Sequence, residues 1–420
     1  MSRGVRIRRW RWSFVIDMRR ATPVIRLLVL TQLVFNVGFY MVVPYLSVYL
    51  TGELGVATAA VGLVLGIRTF SQQGLFVIGG ILTDRFGTKP IAVTGVSIRV
   101  AGFLLLGVAH SLGPVVLAVT MIGFAAALFS PAVETALATD AGRTCADDGL
   151  NRAESFGLFS VCGQIGSFLG PMLGSALLLV DFSAACLAAA AVFVVVGVAH
   201  LRWLPPDPGE HRAEPWTAGW KEVVGNRLFL LFALGASASL VAYNQLYLLL
   251  PLEVERVTGS QTALGWFFAG SAVFVVAAQM PITRYTAARS RRASLVVGYV
   301  VVAAGFLVVA AGAVAGLHGW IAVLPIAGFV ALLAVGEMIV VPLTRDAVPD
   351  FAGDRRLGSY YGFLSSFGGL AVLIGSTATG AIDNLTPDTP LGTATLWASA
   401  SVIPLLGAVA VGMAVGKSAT

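Results

Sequence analysis

The chain has 420 residues, of which 57% are hydrophobic and only 11% charged, whereas soluble domains carry about 25% charged residues. A soluble protein of 43.7 kDa has no interior able to hide that much apolar surface, so water is excluded as the main solvent and the bilayer takes its place. The net charge of +6 does not mark a nucleic-acid binder, because the basic residues are scattered among short segments between apolar runs.

Residues 1–22 form a basic segment with Arg3, Arg6, Arg8, Arg9, Arg11, Arg19 and Arg20, and Trp10 and Trp12 between them. That composition belongs on the cytoplasmic membrane surface. No short apolar core with a cleavage site follows, and a full-length span begins near Val24, so no cleaved signal peptide is expected. Hydropathy predicts twelve spans. Six, over 24–50, 59–83, 91–110, 114–138, 155–180 and 183–204, form an N-terminal bundle at 23–204. The linker 205–226 follows, carrying Pro205, Pro206, Pro208, His211, Arg212, Pro215 and Lys221. Six more spans, over 227–252, 262–284, 293–316, 319–344, 358–382 and 393–416, form a C-terminal bundle at 227–416, with a cytoplasmic tail at 417–420.

The distribution of positive charge tests this count. With the N-terminus inside, only Arg256 of the 27 Lys and Arg falls in an outer loop, and Arg68 and Arg99 fall within spans. The rest lie on the cytoplasmic side, so both termini are expected there. The 48 glycines suit close helix packing in lipid. A faint internal repeat links the halves: Tyr40-x-x-x-Pro44 before Thr51-Gly52, and Tyr247-x-x-x-Pro251 before Thr258-Gly259. The expected fold is all-α and integral to the membrane: twelve transmembrane helices in two pseudo-symmetric six-helix bundles around a central cavity.

The turn between the second and third spans, Gly80-Ile81-Leu82-Thr83-Asp84-Arg85-Phe86-Gly87-Thr88-Lys89, carries a pattern G-x-L-x-D-R-x-G-x-K. It resembles the loop signature of the major facilitator superfamily. The fifth span has Gly157, then Gly166, Gly170-Pro171 and Gly174-Ser175. Four-residue spacing puts these small residues on one helix face, and Pro171 removes a backbone hydrogen bond. Generic close packing accounts for such a face. The spacing is also similar to the antiporter signature of drug:proton exporters, with Ser175 replacing the last glycine. That resemblance implies a face packed against the second half of the protein that biases it toward export. The runs Gly66 to Gly74 and Gly358-Ser359-Tyr360-Tyr361-Gly362-Phe363 also resemble multidrug-resistance members of the superfamily. The arginine signature such exporters often carry in the fourth span is missing: Val119 to Gly123 holds no arginine.

Ionisable residues inside spans cost about 2.5–3.5 kcal/mol each on insertion scales and need a reason. Arg68, Arg99, Glu134 and Glu337 are such residues. Arg99 and Glu134 are open to a structural reading as ion-paired or snorkelling groups. Arg68, with Gln72 and Gln73 a turn later, reads as a wet lining and is a third proton-coupling candidate. A carboxylate at Glu134 or Glu337, desolvated in one state and paired in another, carries a proton. Asp84 is expected to cap the N-terminus of the eleventh span near Gly358 and Ser359, with Arg85 and Asp140 as a second charge pair. The cavity is expected near the midplane, with Asn36, Tyr40, Gln72, Tyr243, Asn244, Gln245, Trp266 and Phe363 as substrate-contacting candidates.

No nucleotide-binding loop is present, so a proton gradient rather than ATP is the expected energy source, with no cofactor. Cys145, Cys162 and Cys186 lack metal-ligand spacing, and His110, His200, His211 and His318 read as interfacial. The expected activity is export of small lipophilic or drug-like molecules in exchange for protons by alternating access. The alternative is proton-coupled symport importing a nutrient or metabolite. An enzyme is not expected. The expected partners are the lipid bilayer, a small-molecule substrate and protons, the protein acting as a monomer in the bacterial inner membrane.

Overall fold

The computed structural model describes residues 14–56, 58–144, 149–207, 209, 215, 217–259, 263–317, 319–387 and 389–418. Arg3 to Arg11, Trp10, Trp12, Cys145, Pro208, His211, Arg212 and His318 lie outside them. Every regular element among the described residues is helical, and eleven segments are long and apolar enough to cross a membrane. The twelfth crossing is built from two shorter helices. The molecule has the twelve-helix, two-domain arrangement expected from the sequence.

A short helix, α1 (Phe14–Arg20), precedes the first crossing. That crossing begins as α2 (Pro23–Tyr40), capped by Thr22, whose hydroxyl accepts from the Ile25 amide at 3.0 Å. It does not run unbroken to residue 50 as hydropathy implies. Pro44 lacks an N–H and its ring conflicts with the carbonyl of Tyr40, four residues back. The chain passes through a short 3-10 turn, Val43–Tyr45, into α3 (Leu46–Gly52). Pro251, in the same sequence context, lies inside an unbroken helix.

The second crossing is also interrupted. It consists of α4 (Thr58–Gln73) and α5 (Phe76–Phe86), where 59–83 reads as one span. The break frees the Gln73 carbonyl and the Val77 amide. Ser366 of the second half satisfies both: its hydroxyl donates to Gln73 O (3.1 Å) and accepts from Val77 N (3.3 Å). The first half is completed by α6 (Thr88–Gly107), α7 (Leu112–Thr144), α8 (Arg152–Leu177) and α9 (Phe182–Trp203). The N-terminus of α8 carries a reciprocal capping box between Asn151 and Glu154, which satisfies two otherwise orphaned amides.

A linker helix, α10 (Thr217–Gly225), leads to the second half. That half contains α11 (Arg227–Thr258), α12 (Leu264–Ala287), α13 (Arg291–Val314), α14 (Leu324–Ala352), α15 (Leu357–Leu385) and α16 (Pro390–Ser418). Hydropathy places the end of α14 at residue 344, but the helix continues for two further turns through Arg345, Asp346, Pro349 and Asp350. The charges do not end it because each has a partner on a neighbouring helix. Each half has its own aromatic core: Phe35, Phe103, Phe129 and Phe193 in the first, Phe306, Phe329 and Trp397 in the second. His200 is not interfacial but fully buried, its Nδ1 2.9 Å from Val196 O. Cys162 and Cys186 are buried free thiols.

Candidate functional site

The two halves meet along a seam at the end of the bundle that carries the linker. Asp84, in the last turn of α5, accepts hydrogen bonds from the Gly358 amide (2.7 Å), the Ser359 amide (2.7 Å) and the Ser359 hydroxyl (2.5 Å). These amides are unsatisfied donors at the positive end of α15, so a carboxylate there is both hydrogen-bonded and electrostatically favoured. The helices approach closely enough that a methyl group on Gly80 would overlap the Gly358 carbonyl. Gly87 ends α5 with φ of 91°, a conformation costly for residues with a Cβ, and rests against the Asp207 carbonyl of the linker. Arg85 lies with its guanidinium 5.8 Å from the Phe86 ring centroid. Lys89 is half-buried in the first turn of α6. Asp140, expected beside Arg85, accepts from the Thr22 hydroxyl.

The linker helix straps the same place. Trp220 packs edge-on against Phe363 (4.9 Å), and Glu222 pairs with Arg356 (2.9 Å) just before α15. Further ion pairs join the halves here: Arg152 to Asp354 (2.6 Å), and Arg284 of α12 to both Glu154 (3.2 Å) and Asp17 of α1.

Deeper in the seam, Glu134 of α7 pairs with Arg345 of α14 across the two halves. Its Oε1 lies 3.0 Å from Nη2 and 3.1 Å from Nε. This pair lines a cavity of about 220 Å³ that also exposes Gln32, Gln73, Ser130 and Ser365. On its other side Arg345 borders a larger cavity of about 290 Å³, lined by α2, α8, α11, α12 and α14. Its polar lining includes Asn36, Tyr40, Gln164, Tyr243, Gln279 and Glu337, and its apolar lining includes Leu246, Val275, Val330 and Leu333. Glu337 Oε2 accepts from Ser239 (3.2 Å), while its Oε1 is buried without a hydrogen-bond partner. Arg345 is thus fixed to Glu134 across the seam, and it borders the same cavity as Glu337, whose carboxyl lies within its electrostatic reach but not in a pair with it.

Of the candidates from sequence, Asn36, Tyr40, Tyr243 and Glu337 line this larger cavity. The others lie elsewhere. Gln72 accepts from Arg68 (3.2 Å) on α4. Asn244 bonds Ser376 (2.7 Å) between α11 and α15. Gln245 is buried and donates to Val241 O. Phe363 is in the seam core under Trp220, because the linker helix covers it. Trp266 is 82% exposed near the start of α12.

The glycine face of α8 also differs from expectation. Gly166, Gly170 and Gly174 do not face the second half. They abut α2 of their own half, at Leu33, Tyr40 and Met41. The four-residue spacing does place them on one face, but that face receives the backbone of the first crossing. Tyr45 reinforces it by donating to Pro171 O at 2.7 Å. Only Gly157, nearer the linker end, touches the second half, at Thr283 of α12.

Arg345 and Ser366 are missed in the sequence. Arg345 follows the last apolar run of its span and reads as a loop charge, and Ser366 is one of several serines in α15. The signal for Arg345 is the helical register Glu337–Arg345, eight residues apart and thus on one face.

Two helical halves meet at one end around a polar, partly apolar cavity with membrane-embedded charges. That is the construction of a secondary membrane transporter. A sequence profile of the Major Facilitator Superfamily matches residues 28–376. An uncharacterized MFS-type transporter of Mycobacterium tuberculosis is 40% identical over 363 residues, covering 85% of each chain. The multidrug resistance protein MdtH of Aeromonas hydrophila is 30% identical over 356 residues, covering 84% of this chain and 86% of its own. The chain belongs to the major facilitator superfamily. Among solved structures, the human organic anion transporter MFSD10 superposes with a TM-score of 0.74 at 17% identity, covering 94% of this chain and 99% of its own. The transporter FucP in its outward conformation superposes with 0.73 at 13% identity, covering 97% and 100%. These two likenesses concern the fold.

Proposed function

We propose that this transporter exports small amphipathic, drug-like molecules in exchange for protons, with the linker end and both termini cytoplasmic in a bacterial inner membrane. The positive charge held at the linker end supports that orientation. The arrangement described is then outward-facing, with Asp84, Gly80 and the ion pairs of Arg152 and Arg284 closing the cytoplasmic side.

The observation that carries the coupling is the Glu134–Arg345–Glu337 cluster. Glu134 holds Arg345 by an ion pair, Glu337 lies two turns before Arg345 on α14 and lines the same cavity, and a single proton makes the three groups together neutral. With Glu134 ionised, its pair with Arg345 ties α7 to α14 and holds the inner side shut. A proton arriving from outside on Glu134 breaks that tie and transfers Arg345 to Glu337, so the halves can part toward the cytoplasm. A substrate then enters from the cytoplasm, and the proton leaves to the same side. Both polar and apolar lining in the larger cavity suit an amphipathic ligand. The similarity to MdtH supports a multidrug substrate range.

Purified protein in liposomes tests this. With an acid interior and an inside-out orientation, a lipophilic dye should accumulate inside while protons leave. Glu134→Gln combined with Glu337→Gln should abolish the effect of the pH step. Accumulation that ignores the pH step sinks the coupling, and accumulation in the same direction as the protons replaces exchange by symport.

A further inference from the structure

Two guanidiniums of the first half have no role in the scheme above. Arg99 of α6 is 2% exposed, and its Nε and Nη1 have no hydrogen-bond partner. It is held among aromatic rings, its Cζ 4.2 Å from the centroid of Phe35, 4.9 Å from Phe39 and 5.0 Å from Phe193. Arg68 of α4 reaches the same Phe39 ring at 5.6 Å. It donates to Gln72 (3.2 Å) and Thr69 (3.3 Å), and its Nε is buried without a partner. Among the described residues no carboxylate pairs with either arginine. Two cations sharing one aromatic ring repel each other, and ring faces compensate only partly for lost hydration.

Tyr40 connects this pair to the larger cavity. Its ring meets Phe39 edge-on at 5.1 Å, it lies within electrostatic reach of both arginines, and it lines the cavity beside Asn36. We propose that Arg68 and Arg99, behind Tyr40, form an anion subsite of the transport cavity, so that the molecules carried are amphipathic and bear an anionic group such as a carboxylate. This rests on reading the cavity as the transport site. Arg68, which is partly exposed, makes the contact, together with the Tyr40 hydroxyl. Arg99 stays behind Phe39 and adds the second positive charge through a medium of low dielectric, where it is weakly screened. Glu337, which lines the same cavity from α14 of the second half, repels the anion and so directs it to the first half. The apolar body of the ligand then lies against Leu246, Val275, Val330 and Leu333.

The test uses the full chain in lipid nanodiscs with two arenes of equal shape, naphthalene-2-carboxylate and naphthalene-2-carboxamide, at neutral pH. The wild type should bind the carboxylate about tenfold more tightly than the carboxamide, the scale of one charge-assisted hydrogen bond. Arg68→Gln should bring the ratio close to one with carboxamide affinity unchanged, and Arg68→Lys should keep most of the preference. Arg99→Gln should lower the ratio less, and if that variant fails to fold, the Arg68 pair decides alone. Absence of carboxylate binding by the wild type, a wild-type ratio of one, or a preference surviving in Arg68→Gln overturns the proposal. Binding without a gradient is indifferent to direction and proton coupling, so its failure and that of the exchange scheme are distinguishable.

Discussion

Glu134 is 7% exposed and its guanidinium partner comes from the other half of the molecule. Removing one member of such a pair leaves a buried charge without compensation, which costs roughly 3–5 kcal/mol. Because the Arg345 side chain is about a third exposed, the low end, about 3 kcal/mol, is expected for Arg345→Gln. Adding Glu134→Gln should recover most of that loss. Thermal unfolding of the four proteins in detergent gives the coupling energy as a double-mutant cycle. Additive losses would mean that the pair is not formed. At this scale the sequence discloses a residue when its neighbours are unusual for it. Asp84 is legible because a carboxylate between two spans sits opposite the start of a third. Glu134 and Glu337 are legible because carboxylates are rare in apolar runs. Arg345 is not, since a cation at the edge of an apolar run has the same local appearance whether it ends the helix or continues it.

The elements at the seam are joined by backbone as much as by side chains. Ser366 of α15 bridges the broken second crossing, so Ser366→Ala leaves an amide and a carbonyl unpaired at cost of about 1–3 kcal/mol. The loss should appear as faster amide hydrogen exchange at Val77 and its neighbours, and unchanged exchange there would remove Ser366 from the seam. The breaks at Pro44 and at Gly74 are not legible in hydropathy, which predicts one continuous span across each. Proline at residue 251 has the same flanking tyrosine as at residue 44 yet lies in a continuous helix, so the outcome is set by what surrounds the crossing. The glycine face of α8 is legible as a face from its spacing. Its partner is not, because small residues permit any close neighbour, and here α2 occupies the place. Gly170→Leu is therefore expected to separate α8 from α2 within the first half and lower its stability, read as a drop in thermal midpoint. A midpoint equal to wild type with altered transport alone would return that face to the second half.

For the whole molecule, the twelve crossings follow from hydropathy, which reflects transfer between water and hydrocarbon, and the placement of Lys and Arg supports the orientation proposed for them. Which end of the seam is closed does not follow from these, because it depends on contacts made by a handful of groups. Asp84 makes three hydrogen bonds to the start of α15. Asp84→Asn weakens them by about 2 kcal/mol, a shift of about 30-fold in the ratio of outward- to inward-facing protein. Maleimide labelling of a Val77→Cys reporter, at a buried position where α5 meets Gly362 of α15, should rise accordingly, and unaltered labelling would make Asp84 a bystander.

The coupling of protonation to the seam is tested most directly by distance between two spin labels at the outer end, at Val48 of α3 and Leu385 of α15, both exposed, with the native cysteines replaced. In nanodiscs without any gradient, lowering the pH should release Arg345 from its seam pair, open the inner side and shorten the outer distance. The Glu134→Gln, Glu337→Gln double variant should show no pH response. A wild-type distance that ignores pH, or a double variant that responds as wild type does, would contradict the account.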